Sequence, residues 1–347
     1  MLIIGCDFHP GFQQVAIFDN LTGEIEEKRL QHRGEAEQFY RSLLGQPVRV
    51  GMEACGHYPW FEQLLAELGF ELWFGDAAKI RASVVRKQKT DRRDAEHLRQ
   101  LLMENRFPRI WVPSLEVRDV RQLLVQRHKQ VQQRTRTKNQ LQAMALSSGI
   151  QKKGKLWTKA GREELEQLPL LPYAAQRRQR LLEGLDDLEA EIVELDRRVA
   201  EEARQRPEAV RLMTHPGVGP VTALAMVLTL GPAERFASAK QVGSYLGLIP
   251  SEESSGGKQR LGGISKQGSS FLRFLLVEAG QTAARYDPQL KRFYQRLAAR
   301  KNRSVAKVAV ARKLATRLYL MLRQDWTYAQ LSQAVMQVSP SHPVAGQ

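Results

Sequence analysis

The hydrophobic periodicity of this chain changes character once, and that change constrains the fold more than any other feature. Up to about residue 113, short apolar or alternating runs are separated by Gly-containing turns, the pattern of strands mixed with helices. From residue 114 to residue 206 the pattern is almost wholly helical, and Leu181, Leu185, Leu188, Ile192, Leu195 and Val199 recur at alternating steps of four and three. A seam of that kind must be covered by another helix along its length. Two partners fit it: residues 117–146 of the same chain folded back as an antiparallel hairpin, or a second copy of the protein. Heptads alone leave both open. Residues 149–162, between the two helices, carry Lys152, Lys153, Lys155, Lys159 and Arg162 and read as a flexible basic loop. A third, mainly helical segment spans residues 207–338. The tail, 339–347, is rich in Ser, Pro and Gly and is expected to fray.

Within residues 1–113, strands are expected at 2–6, 13–19, 24–30, 48–52 and 70–74, and helices at 35–44 and 60–68, with a further helix starting near Thr90, a good N-cap. Three strands in a meander followed by strands alternating with helices is the order of an RNase H-like α/β domain, an expectation by analogy.

Lys and Arg total 53 against 37 Asp and Glu, a formal net charge of +16. Such a surplus favours a polyanionic partner through phosphate neutralisation and counterion release, without distinguishing DNA from RNA. Cys6 and Cys55 are the two cysteines, with no Cys/His cluster of zinc-site spacing; the thiol count suits a reducing cytoplasm. The apolar start MLIIGC lacks a basic n-region and reads as a strand, and no run of about 18 apolar residues suggests a membrane span.

Four carboxylates stand out by position. Asp7 closes the first apolar strand and Glu53 another; Asp91 and Asp94 lie three apart at a helix start, sharing a face from which Arg92 and Arg93 turn away. Carboxylates at strand ends point into the crevice where α/β folds gather ligands. Brought together they repel unless a cation sits among them, and hard oxygen ligands suit Mg²⁺ or Mn²⁺. Singly, each has a plainer role: a turn, a surface charge, a complement to the helix dipole. Their joint order is the stronger signal. Lys79, Arg81, Arg86, Lys87, Lys89, Arg92 and Arg93 crowd the approach to Asp91, as suits a phosphate backbone.

In the third segment, HPGVGPVTALAMVLTLG reads as a helix–hairpin–helix element in which Gly217 and Gly219 let backbone N–H groups approach a phosphate. A plain helix connector is the alternative. The run PSEESSGGKQRLGGISKQG places Ser254 and Ser255 before two glycines, with Lys258, Arg260 and Lys266 following. Small neighbours leave a hydroxyl accessible and the cations can stabilise phosphoryl charge; a flexible basic loop reads equally well from the residues alone. Two basic amphipathic helices follow.

The motifs GCDFHP, GMEACGHYPWF, KTDRRDAEHL, PGVGPVTA, YLGLIPSEESSGGKQRLGGISKQGSSFLR and KVAVARKLATRLYLML, in this order over nearly the whole chain, resemble the DEDD transposases of the insertion-sequence family numbered one hundred and ten, the bridge-RNA-guided recombinases, to which the pilin-gene invertase is related. The resemblance implies a RuvC-like domain whose four acidic residues fall on Asp7, Glu53, Asp91 and Asp94, a coiled-coil insertion, and a transposase domain whose catalytic serine falls on the SSGG element: Ser255, with Ser254 the close alternative. It implies tetramers built from dimers with composite sites, and a noncoding RNA that pairs with donor and target DNA. On this basis the chain is expected to be a cytoplasmic, nucleoid-acting enzyme that cuts and rejoins DNA through a serine–phosphate linkage. Two rivals remain: a metal-dependent, junction-resolvase-like nuclease in which water attacks, and a noncatalytic RNA-binding protein. A covalent protein–DNA adduct separates the first reading from both.

Overall fold

The computed structural model describes residues 1–54, 56, 58–84, 90–151, 154–254 and 258–338, and for Arg33 and residues 335–338 the backbone only. It divides into two compact units, Met1–Leu115 and Glu116–Gln347.

The first unit is built on a five-stranded mixed sheet. Strands β1 (Leu2–Phe8), β2 (Phe12–Asp19) and β3 (Ile25–Gln31) form an antiparallel meander. A π-helical turn at His32–Ala36 leads into α1 (Glu37–Ser42). Next come β4 (Val48–Glu53), α2 (Pro59–Glu67), β5 (Glu71–Gly75), α3 (Ala77–Ser83) and α4 (Asp91–Met103). The strand order is β3-β2-β1-β4-β5, with β4 parallel to both β1 and β5. This arrangement is consistent with an RNase H-like fold. The expected strands all occur, each within a residue or two of its expected bounds.

Alternation along β1 sorts its side chains. Leu2, Ile4 and Cys6 enter one apolar core with Tyr40, Phe61 and Leu65, while Ile3 faces the other way onto Leu98 and Leu102 of α4. Gly5 shares the face of Ile3, and a Cβ there would collide with the backbone of α4 at Ala95 and Arg99. Gly51 of β4 does the same against Leu102. The two glycines let α4 lie close on the sheet, over β1 and β2 with β4 alongside.

Among the described residues the second unit is helical apart from one hairpin. Helices α5 (Leu115–Ser147) and α7 (Pro172–Arg204) run antiparallel, clipped by Arg127–Asp196 at 2.7 Å and Lys138–Glu189 at 2.7 Å. The heptad seam is thus covered within the chain. Its register differs slightly from the sequence pattern: Leu182 is fully buried, whereas Leu181 and Leu188 are only partly so. An ideal helix drifts against a strict heptad, so Leu182 takes the inner position near the start of α7.

The stretch between these helices is not the flexible basic loop expected. Its described part forms a short 3₁₀ turn (Lys155–Trp157) and α6 (Lys159–Glu166). Leu156 and Leu165 bury against Leu141, Leu182 and Leu185, and Arg162 is paired with Glu166 and Asp186. Apolar residues interspersed among the lysines cap the hairpin tip.

The remainder packs around one large core and a smaller one of Ala283, Ala284, Leu290 and Val310. It comprises α8 (Pro207–Met213), α9 (Pro220–Leu230), a 3₁₀ turn at Ala233–Arg235, α10 (Ala239–Tyr245), strands β6 (Pro250–Glu252) and β7 (Leu261–Ile264), α11 (Ser270–Tyr286), α12 (Pro288–Arg300), α13 (Arg303–Arg323) and α14 (Tyr328–Val338). Asp287 ties three of these helices together: it caps α12 through Leu290 N–H, accepts from Arg317 at 2.6 Å in a buried ion pair, and accepts from the Tyr328 hydroxyl at 2.8 Å. Among the described residues no helix is long and apolar enough to cross a membrane.

Candidate metal centre and nucleic-acid surfaces

β1 and β4 are parallel neighbours with Cys6 opposite Met52, so their next residues, Asp7 and Glu53, lie at the same end of the sheet. Asp7 follows Ile3 and Gly5 on the face that α4 covers, and Glu53 follows Gly51 on that face. Thr90 caps α4 by accepting the Arg93 N–H, which fixes the helix start so that Asp91 and Asp94 are half-buried while Arg92 and Arg93 face solvent. The close approach that Gly5 permits brings this first turn of α4 to the end of β1.

The result is a cluster around His9, a residue the sequence reading did not single out. Its Nε2 lies 3.0 Å from Asp7 Oδ2 and 3.5 Å from Asp91 Oδ1. The shorter distance is that of a hydrogen bond between the imidazole and the Asp7 carboxyl. The ring is stacked on Phe12 at 4.6 Å, and Arg29 covers the same Phe12 ring at 3.8 Å. One ligand atom each from Asp7, His9 and Asp91 lies within 4.8 Å of the others, close enough to share an ion. The signal was present in GCDFHP, a second ligand-type residue two positions past Asp7 at the exit of the strand.

Burial pushes the Asp7 carboxyl above its ordinary range; His9 opposes this, and the charges of Asp94 and Asp91 add to it. The fourth partner's charge is therefore felt at Asp7. Glu53 is exposed at the matching end of the next strand. Two carboxylates and an imidazole within reach of one another suit a divalent ion, with Asp94 near enough for its charge to act on Asp7.

Of the basic residues expected to meet phosphate in this unit, Lys79 and Arg81 are exposed on α3, Arg93 is exposed on α4, and Arg92 is ion-paired with Glu27. Arg86, Lys87 and Lys89 lie outside the described residues, as do Lys152 and Lys153 at the hairpin tip, where Lys155 is exposed.

In the second unit the Ser/Gly-rich stretch is a hairpin, not a featureless loop: β6 pairs antiparallel with β7, and Glu253 N–H donates to Arg260 O. Ser254 is built into it. Its hydroxyl donates to Glu252 Oε1 at 2.6 Å and accepts the Arg260 N–H at 3.1 Å. Ser255 lies outside the described residues. Lys258, Arg260 and Lys266 are exposed. The PGVGP turn does join two helices, α8 and α9, but its glycines differ. Gly217 has φ 84°, and a Cβ there would lie 2.6 Å from Ala283 N and 2.7 Å from Ala279 O, so it serves close packing on α11. Gly219 is exposed at the start of α9 with open space around it, and remains available to a ligand.

Known proteins are similar to this chain in sequence. Residues 209–295 match the family described as "Transposase IS116/IS110/IS902 family", and residues 4–148 match a DEDD transposase family of the same insertion-sequence group. A probable family 20 transposase of Pseudomonas aeruginosa is 30% identical over 334 residues, 94% of this chain and 98% of the relative. The transposase for insertion sequence element IS1328 of Yersinia enterocolitica is 28% identical over 82% of this chain and 86% of its own length. A pilin gene-inverting protein of Moraxella lacunata is 27% identical over 55% of this chain and 67% of its own.

Proposed function

The chain belongs to the IS116/IS110/IS902 family of transposases, enzymes that cleave and rejoin DNA, and from that premise we propose that it is the DNA recombinase of an insertion sequence, acting through a serine–phosphate intermediate. The observation that supports this most is the near-full-length likeness to a transposase combined with the cluster of Asp7, Asp91 and His9 at the sheet end shared with Glu53. In this reading residues 1–113 are a RuvC-like DEDD domain, 114–206 a coiled-coil region and 207–338 the transposase domain.

Asp7, Glu53, Asp91 and Asp94 would hold Mg²⁺ or Mn²⁺, which when bound would supply Lewis-acid polarisation of the scissile phosphate. The nucleophile is the Ser255 hydroxyl. Its Oγ forms a bond to phosphorus as the bond to one deoxyribose oxygen breaks; the proton passes to a base, and the leaving oxygen ends as a free hydroxyl. Attack of a hydroxyl from another strand on the same phosphorus reverses the step, so exchange needs no nucleotide energy source. Lys258, Arg260 and Lys266 offset charge on the phosphoryl group. A second reading has a specific contact in its favour. Ser254 already donates to the Glu252 carboxylate at 2.6 Å, the arrangement of a nucleophile with its base.

Site choice is assigned to a noncoding bridge RNA that pairs with donor and target DNA, leaving the protein to recognise backbone and shape. Dimers assemble to tetramers for strand exchange, in the cytoplasm on the nucleoid. Denaturing-gel capture on a nicked suicide DNA, with mapping of the modified peptide, tests the mechanism. Ser255→Ala is expected to lose the adduct and strand exchange while keeping DNA and RNA binding. An adduct on Ser254 would select the second reading. Recombination by a Ser254/Ser255 double-Ala variant would overturn the serine mechanism and leave a metal-dependent nuclease.

A further inference from the structure

Beside the serine hairpin lies a groove that the reaction described above does not use. It measures about 680 Å³, within the ~300–1,000 Å³ range of small-ligand sites. Its floor is apolar, formed by Leu248 and Ile264 with Phe293 of α12 and Val308 of α13. One wall is Gly262 and Gly263 of β7, the strand paired with the one that leads into Ser254. The rim carries Arg312 and Lys313, neither of which makes an ion pair among the described residues.

The charge around this groove is one-sided. Between Asp287 and Asp325 the chain carries eleven Lys and Arg and no Asp or Glu. Arg317 is spent on Asp287 and Gln289, and Arg323 on the Ala233 carbonyl. The other nine belong to α12, α13 and the turn between them. Lys313 Nζ stands 4.7 Å from the Phe293 ring centroid, with Arg296 at 5.8 Å from the same ring. Burial, Arg317 and Arg296 together lower the Lys313 pKa, the condition of a cation set among cations. An anion would relieve it.

An apolar floor that includes the Phe293 ring suits a flat heterocycle, and the cations of the rim suit the phosphates on either side of it. A base inside a duplex presents only its edge, so the floor can be covered only by a base that has left the stack. We propose that the groove between β7, α12 and α13 receives one unpaired nucleotide of the DNA, with Arg312 and Lys313 on its flanking phosphates. A nucleotide held there brings an adjacent phosphodiester toward the hairpin that carries Ser254. The assignment to DNA rests on the recombinase reading above.

Binding of the full-length protein to labelled duplexes tests this without any cleavage. A DNA duplex with one unpaired nucleotide is expected to bind about tenfold more tightly than the fully paired duplex. A Cβ at Gly263 meets nothing within 4 Å, so Gly263→Phe fills the groove without a backbone clash. Val305, exposed on α13 and also lining the groove, gives a second variant, Val305→Trp. Both should erase the preference for the unpaired nucleotide and leave affinity for the paired duplex within twofold of the parent. Equal affinity of the parent protein for the two DNA duplexes would overturn the proposal, as would a preference that survives both variants. Tighter binding of a bulged RNA duplex than of the bulged DNA would overturn the assignment to DNA. Paired duplex bound with no bulge preference would reject the groove alone; no binding of DNA at all would reject the recombinase reading with it.

Discussion

A half-buried carboxylate beside two others is held in place at a cost. Asp7 is pushed upward by burial first, then by Asp94 and Asp91, and only His9 pulls the other way. Such local repulsion is typical of sites kept for chemistry and not for stability. It leads to a pair of opposite effects from one substitution. Asp94→Asn removes a like charge from the surroundings of Asp7 while keeping the side-chain shape. In chelator-containing buffer, thermal unfolding should show the variant as stable as the parent or more stable, by about 0.5–1 kcal/mol. Recombination should fall by about three orders of magnitude or more. Isothermal titration with Mn²⁺ should show weakened binding. A variant that is markedly less stable, or that recombines normally, would show that Asp94 is a structural helix-start residue only.

At the level of elements, the parts most legible in the sequence were those governed by local rules. The strand ends at Asp7 and Glu53 followed from alternation, and the start of α4 from Thr90, whose hydroxyl accepts the Arg93 N–H. His9 stands two residues past Asp7, so its place beside that carboxylate is legible locally, whereas its approach to Asp91 depends on α4 folding back over β1, a long-range contact that Gly5 enables. The hairpin β6–β7 was hidden for a similar reason. Ser, Gly and Lys report solvent exposure, whereas the pairing is fixed by contacts such as Ser254 with Glu252 and Arg260, and Ser251 with Gly263. The tip between α5 and α7 was misread because charge dominated the composition, though Leu156, Trp157 and Leu165 supply its packing. That tip has a measurable consequence. Leu185 and Leu182 join the two long helices to Leu156 and Leu165, so Leu185→Asp buries an unpaired carboxylate among apolar groups. The loss should be about 3 kcal/mol or more, visible as an earlier unfolding step by circular dichroism. If the variant changes assembly size in sedimentation while keeping its helical stability, the seam serves a contact between copies and not the hairpin.

The whole molecule separates its charge as it separates its chemistry. Residues 1–115 hold 15 Lys and Arg against 16 Asp and Glu, while residues 116–347 hold 38 against 21. The entire surplus of +16 therefore lies in the second unit, although the sequence drew attention first to the basic run before Asp91. Several of those charges are internal fasteners. Arg121 donates to the Leu228 carbonyl, Arg273 to Leu246 and Gly268, and Arg317 to Asp287. The cations of α12 and α13, dense and with no acid between Asp287 and Asp325, are placed to displace counterions from a polyanion. Affinity for duplex DNA should then fall steeply with salt, the logarithmic slope reporting the number of phosphates neutralised at about 0.9 per contact. Replacing Arg292, Arg296 and Arg300 by Gln should lower that slope by about 2 to 3, while the same number of Gln substitutions at Lys79, Arg81 and Arg93 should lower it by less than 1. The measurement is fluorescence anisotropy from 50 to 300 mM salt, with circular dichroism confirming helix content. Equal slope changes for the two triplets would mean that the near-neutral first unit shares the backbone contacts. An unchanged slope for the α12 triplet would remove that helix from the DNA path, whatever its charge.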